Sequence, residues 1–143
     1  MLVPLLQAKC QITVKEAEDK EPLVGGVIYF APSDYHLLIE ADGALALSTD
    51  EAVNYSRPSI DVLFESAADT YGPRLVGVIL TGANHDGAAG LKAVIEAGGA
   101  AIVEDPAEAY ASAMPEAALE ACPSAKTMTL AAVASYLSNL RTA

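Results

Sequence analysis

The chain has 143 residues, enough for one domain with a real core, and 52% of them are apolar, which argues against a disordered polypeptide. Eight Lys and Arg against nineteen Asp and Glu give a net charge of -11, which repels phosphate backbones and makes nucleic acid an unexpected partner. No apolar run reaches the ~18 residues of a membrane span, so no insertion into a bilayer is expected.

The N-terminal MLVPLLQAK lacks the basic n-region and small-residue cleavage site of a signal peptide, which points to the cytoplasm. Residues 1–9 read instead like the tail of a helix, in which Pro4 has no preceding N-cap. QITVK at 11–15 alternates as a short strand, and an acidic loop then runs to Gly25-Gly26. VIYFA at 27–31 reads as a second strand, and Pro32-Ser33-Asp34 supplies turn chemistry. Residues 36–40 are expected to pair with 44–48 across a two-residue Asp42-Gly43 turn, making 27–48 an antiparallel addition to the sheet.

After a polar connection at 49–57, Pro58 marks a helix start. Ile60, Leu63, Phe64, Ala67, Ala68 and Tyr71 then recur on one helical face, and Gly72-Pro73 stops the helix. The centre of the chain follows at 75–99, LVGVILTGANHDGAAGLKAVIEAGG. Its aliphatic opening reads as a buried parallel strand. A turn spans 81–87, and Leu91, Val94 and Ile95 share one face of the next helix before Gly98-Gly99. Asp86 therefore falls just past the C-terminal end of a strand, the edge where open α/β sheets gather ligands and catalytic groups. Residues 100–103 read as another strand, broken by Glu104-Asp105-Pro106. Met114-Pro115 opens a helix, with Pro115 suited to its first position. Residues 126–128 form a last short strand, and Thr129 caps a helix bearing Val133, Tyr136, Leu137 and Leu140 on one face. Strands alternating with helices from 75 onward give an α/β fold with a doubly wound, mostly parallel sheet and helices on both faces.

Read on spacing alone, Asp86 is an N-cap for backbone N–H groups near Ala88 and Ala89. His85 lies beside it, but side chains of neighbouring turn residues often diverge. His36, opening a hairpin strand, reads as a structural hydrogen-bonding residue. Gly82, Gly87 and Gly90 do not make a phosphate loop, because Ala88-Ala89 stands where Lys and Ser or Thr are needed. Cys10 and Cys122 are isolated, as buried free thiols are, and two histidines give no metal-ligand pattern. No metal or other cofactor is expected.

Three stretches carry a resemblance: QITVKEAEDKEPLVGGVIYFAPSDYHLLIE at 11–40, RPSIDVLFESAADTYG at 57–72 and GVILTGANHDGAAGL at 77–91. With Met114-Pro115 behind the Asp-Pro-Ala at 105–107, they are similar to the catalytic domain of chemotaxis protein-glutamate methylesterases (CheB type). The resemblance implies hydrolysis of glutamate methyl esters on the cytoplasmic helices of chemoreceptors by a Ser-His-Asp triad, in a three-layer fold. In that chemistry a histidine takes the serine proton, and a carboxylate fixes the histidine tautomer and stabilises the imidazolium. On the match Asp86 is the triad aspartate. Thr81, Gly82, Ala83, Gly87 and Met114 then line the site and oxyanion region, Ala83 through its backbone N–H. Arg57 is a weaker candidate for substrate contact, since an arginine flanking a helix is commonly a surface residue.

The sequence also departs from the family. Ala83-Asn84-His85 replaces a more usual Met-Gly-Asn, and no serine here lies in the family's Gly-Ala-Ser-x-Gly-Gly turn. The family's nucleophile and base precede the point where the chain begins, so residues 1–143 are expected to be one N-terminally incomplete catalytic domain, inactive alone and with a gap in its sheet. A receiver domain upstream is a possible partner. The competing expectation is a non-catalytic module that docks on receptors or on a receiver domain.

Overall fold

The computed structural model describes residues 12–140. The helix-tail reading of 1–9, Cys10 and the strand position at Gln11 lie outside the described residues. In chain order the elements are β1 (Thr13–Glu16), β2 (Val27–Phe30), β3 (His36–Ile39), β4 (Leu45–Ser48), α1 (Ile60–Tyr71), β5 (Val76–Ile79), α2 (Ala88–Glu96), β6 (Ala100–Glu104), α3 (Ala113–Ala121), β7 (Lys126–Met128) and α4 (Leu130–Ser138). A short 3-10 turn, Gly72–Arg74, ends α1, as its Gly-Pro pair predicts.

β5, β6 and β7 form a parallel sheet in which Val78 lies opposite Ile102 and Ile102 opposite Lys126. Ile79, Ala101 and Val103 alternate onto one face, where Leu91 of α2, Ala118 of α3 and Cys122 just after α3 cover them. Ile102 points the other way and is 1% exposed; α4 packs against β6 and β7, with Val133 buried. The fold is thus α/β with helices on both faces. Thr129 caps α4 as expected, its hydroxyl accepting from the Ala132 N–H at 3.1 Å. Only part of the predicted face of α4 is covered, because Leu137 and Leu140 remain exposed.

The first third of the chain departs from expectation in two ways. β2 pairs parallel with β1, Val14 opposite Ile28, so the antiparallel addition is β3–β4 alone. Its connection is a three-residue loop, 41–43, closed by the Glu40 N–H on the Ala44 carbonyl, with Gly43 at φ 86°. A glycine in that left-handed position lets the longer loop match the strand twist. Among the described residues β1–β2 and β5–β7 are separate sheets. Helix α1 bridges the two regions. Its Ile60 and Phe64 pack with the β5–β7 core, and its Leu63 packs with Ala17, Leu37 and Leu45. One small correction concerns α3: it begins at Ala113 behind Ser112, so Pro115 is its third residue.

Candidate functional site

The turn leaving β5 is wired on both sides. On one side, the Thr81 N–H donates to the buried Glu104 carboxylate at 3.0 Å, while its hydroxyl accepts from the Ala111 N–H at 2.6 Å and faces the Ala111 carbonyl at 3.1 Å. The Gly82 N–H donates to Ala111 and its carbonyl accepts from Met114, each at 3.0 Å. A Cβ at Gly82 would fall 2.6 Å from Met114 Cε and 3.0 Å from its Cβ, so a larger residue there would push the Met114 side chain off the turn. A groove of about 490 Å³ opens beside Thr81, lined also by Leu80, Glu104, Glu108, Tyr110 and Leu130.

On the other side lies Asp86, 2% exposed. The Asn84 side chain accepts from the Asp86 N–H at 2.9 Å, an Asx-type turn that aims the carboxylate inward. Its Oδ1 accepts from the Ser59 hydroxyl at 2.8 Å, Asn54 Nδ2 at 3.0 Å and the Asp61 N–H at 3.3 Å; its Oδ2 accepts from the Ile60 N–H at 2.6 Å. The carboxylate therefore caps α1, not the helix that follows it. The N-cap reading near Ala88 and Ala89 is corrected: Gly87 precedes α2, at φ 104° and without a side-chain cap, and a Cβ there would meet Ile79 Cδ1 at 2.6 Å. The cap of α2 is Asp61, whose Oδ1 accepts from the Gly87 and Gly90 N–H groups at 3.0 and 2.6 Å. Each carboxylate meets the positive end of the other element's helix dipole, which stabilises its negative charge.

Of the sequence-predicted site residues, Thr81, Gly82 and Met114 come together on one flank, and Asp86 and Gly87 on the other. Ala83 lies between them, exposed, and its N–H donates to no group among the described residues. His85 is exposed and makes no hydrogen bond to Asp86. Arg57 braces its own loop, donating to the Thr49 and Asp50 carbonyls at 3.1 and 3.3 Å. His36 is 1% exposed and structural, as expected. The Ser59 N–H can only donate, so Nδ1 accepts it at 3.2 Å and Nε2–H donates to the Glu51 carbonyl at 2.8 Å. Cys122 is a buried free thiol whose pKa burial pushes up, the Lys92 charge opposing only in part. Among the described residues no group of three or more His, Cys, Asp or Glu side chains gathers as a metal site would.

Three residues of the acid pocket escape sequence reasoning: Asn54, Ser59 and Asp61. The one local signal was the helix start behind Pro58, where a serine and a first-turn acid are ordinary.

The chain has relatives among known proteins. A Leptospira interrogans protein named protein-glutamate methylesterase/protein-glutamine glutaminase is 55% identical over 117 residues, which are 82% of this chain and 61% of that relative's length. A Caulobacter vibrioides protein of the same name is 37% identical over 96% of this chain and 41% of its own. The chain thus spans less than two thirds of these relatives. The crystal structure of the Thermotoga maritima CheB methylesterase catalytic domain superposes with a TM-score of 0.89 at 32% identity, over 95% of this chain and 74% of that one. With the sequence profile of CheB methylesterase matching residues 1–137, the chain belongs to the CheB methylesterase family.

Proposed function

We propose that the protein is a protein-glutamate methylesterase in which Asp86 is the acid of a Ser-His-Asp triad. The observation that carries this reading is the Asp86 carboxylate: buried at the C-terminal edge of β5, held by four donors, and at the position the sequence resemblance implies for the triad aspartate. Oδ2 accepts a single hydrogen bond and has acceptor capacity for another, as a histidine N–H would require. In the reaction the serine oxygen attacks the ester carbonyl as the histidine takes its proton. The developing oxyanion draws on backbone donors, for which the Ala83 N–H is the candidate. The histidine returns the proton to methoxide, methanol leaves, and water repeats the cycle on the acyl-enzyme to release the glutamate side chain.

The substrate is then the methylated cytoplasmic helices of chemoreceptors, a receiver domain is the regulatory partner, and the cytoplasm is the site of action. The names of the Leptospira and Caulobacter relatives extend the chemistry to glutamine side-chain amides, whose carbonyl the same groups would attack.

Methanol release from a methylated receptor fragment tests the reading. The chain alone is compared with a form that also carries the family's serine and histidine segments, and with that form bearing Asp86→Asn. The longer form is expected to be active, the chain alone inactive, and Asp86→Asn to lower kcat by about 10⁴-fold, as loss of the triad acid does elsewhere. Binding to the receptor fragment without methanol release from any form would favour the docking-module reading.

A further inference from the structure

One amide nitrogen lies between two buried carboxylates. Asn54 Nδ2 donates to Asp61 Oδ2 at 2.8 Å and to Asp86 Oδ1 at 3.0 Å. Asp61 and Asp86 are 7% and 2% exposed, so neither is screened by much water. Asn54 reaches them from a two-residue turn closed by reciprocal hydrogen bonds between Val53 and Ser56 at 3.0 and 2.9 Å. Both turn residues are left-handed, Asn54 at φ 54° and Tyr55 at φ 62°. Asparagine tolerates that region; tyrosine does not do so readily. The Tyr55 side chain is 99% exposed and contributes no packing that would hold the turn. Two side-chain contacts anchor the turn: the Asn54 amide on the two acids, and Ser56 Oγ, which accepts from Asn84 Nδ2 at 3.3 Å.

We propose that Asn54 is a positioning residue for Asp86, an inference that rests on the triad reading above. An amide nitrogen carries two N–H groups, one for each acid, and brings them together without adding charge. A carboxylate at this position would put a third acid between the two, and a glycine would keep the backbone but remove both hydrogen bonds. With Asn54, Ser59 and the Asp61 N–H all on Oδ1, rotation of the Asp86 carboxylate is blocked. Oδ2 is thereby kept as the oxygen presented to the histidine. Asp61 completes the arrangement by holding the Gly87 N–H, the backbone step immediately after Asp86.

The test uses the form of the protein that carries the family's serine and histidine. In Asn54→Gly, kcat is expected to fall about 10- to 100-fold with KM unchanged, as for a catalytic group slightly misplaced. Tyr55→Gly relieves the neighbouring strained residue and leaves the amide in place, so its kcat should match wild type. An unchanged kcat in Asn54→Gly, or an equal loss in Tyr55→Gly, overturns the inference while an inactivating Asp86→Asn keeps the triad reading standing. If instead the wild type releases no methanol, the triad reading fails, and urea unfolding of the 143-residue chain decides the clamp. Non-additive effects of Asn54→Gly and Asp86→Ala support it, and additive effects overturn it.

Discussion

The two regions that α1 joins are held together by different means. Around β5–β7, parallel pairing buries both faces of the sheet, and Leu91, Val94, Val103 and Ala118 have no exposed surface. Around β1–β4, two separate two-stranded sheets share a small core of Ala17, Leu37 and Leu45, while Val24 and Ile28 stay 53% and 39% exposed. Polar braces take up the difference there. Asp19 accepts from the Leu47 N–H at 2.9 Å, Ser66 of α1 accepts from the Ile39 N–H at 2.9 Å, and Lys15 pairs with Glu18 and Glu21. Apolar burial gives one region a unique packing. The other depends on individual hydrogen bonds, which are worth less apiece and more sensitive to conditions. The candidate carboxylate is anchored where the two meet, at the N-terminus of α1.

The contrast can be broken most forcefully at Leu91. Leu91→Ala should cost about 2–5 kcal/mol in urea unfolding, the range for a leucine deleted from a closed core. Ile28→Ala in the other region should stay within about 0.5 kcal/mol; comparable losses at both sites would erase the distinction. An intermediate effect is expected at Ser66, whose hydroxyl also donates to the Leu63 carbonyl at 2.8 Å. Ser66→Ala leaves the Ile39 N–H without its partner and should cost about 1–3 kcal/mol, with hydrogen exchange at Ile39 rising before that of β6 amides.

The smallest effect is a pH dependence. The Lys15 ammonium, with help from the Glu18 N–H, holds the Glu21 carboxyl below its ordinary value of 4.5, and the same bond to Glu21 raises Lys15 above 10.5. The Glu21 contribution is therefore complete above its unfolded value and lost as the pH falls through the depressed folded one. That of Lys15 is complete below its unfolded value and lost as the pH rises through the raised one. Glu21→Gln should lower the melting midpoint slightly at neutral pH, and the difference should vanish in acid. A difference that persisted below both Glu21 values would show that this pair does not carry it.

How far the sequence could be read follows the same division. From Ile60 onward the elements were legible because periodicity is local: an apolar stripe, a β-branched run and Gly or Pro stops fix each one. In the first third, the reading of 27–48 as one antiparallel addition fails at its strand 27–31, because β2 pairs parallel with β1, a choice set by tertiary contacts outside any window. The turn carrying Asp86 was legible from its position after β5. The residues that hold it were not, because Asn54 resembles any polar loop residue and Asp61 any first-turn acid. Nothing near Arg57 announces that its guanidinium serves the Thr49 and Asp50 carbonyls.

The exchange of carboxylates between α1 and α2 also bears on how the chain folds. Neither helix carries its own side-chain cap: Ser59 spends its hydroxyl on Asp86, and Gly87 has none to give. A nascent α1 or α2 would thus fray at its first turn, with N–H groups solvated, until the other arrives. The two N-termini are completed in one long-range event, and the acid pocket comes into being only with the docked helix pair. Pocket and helix pair therefore form together, and a substitution that loosens one loosens the other.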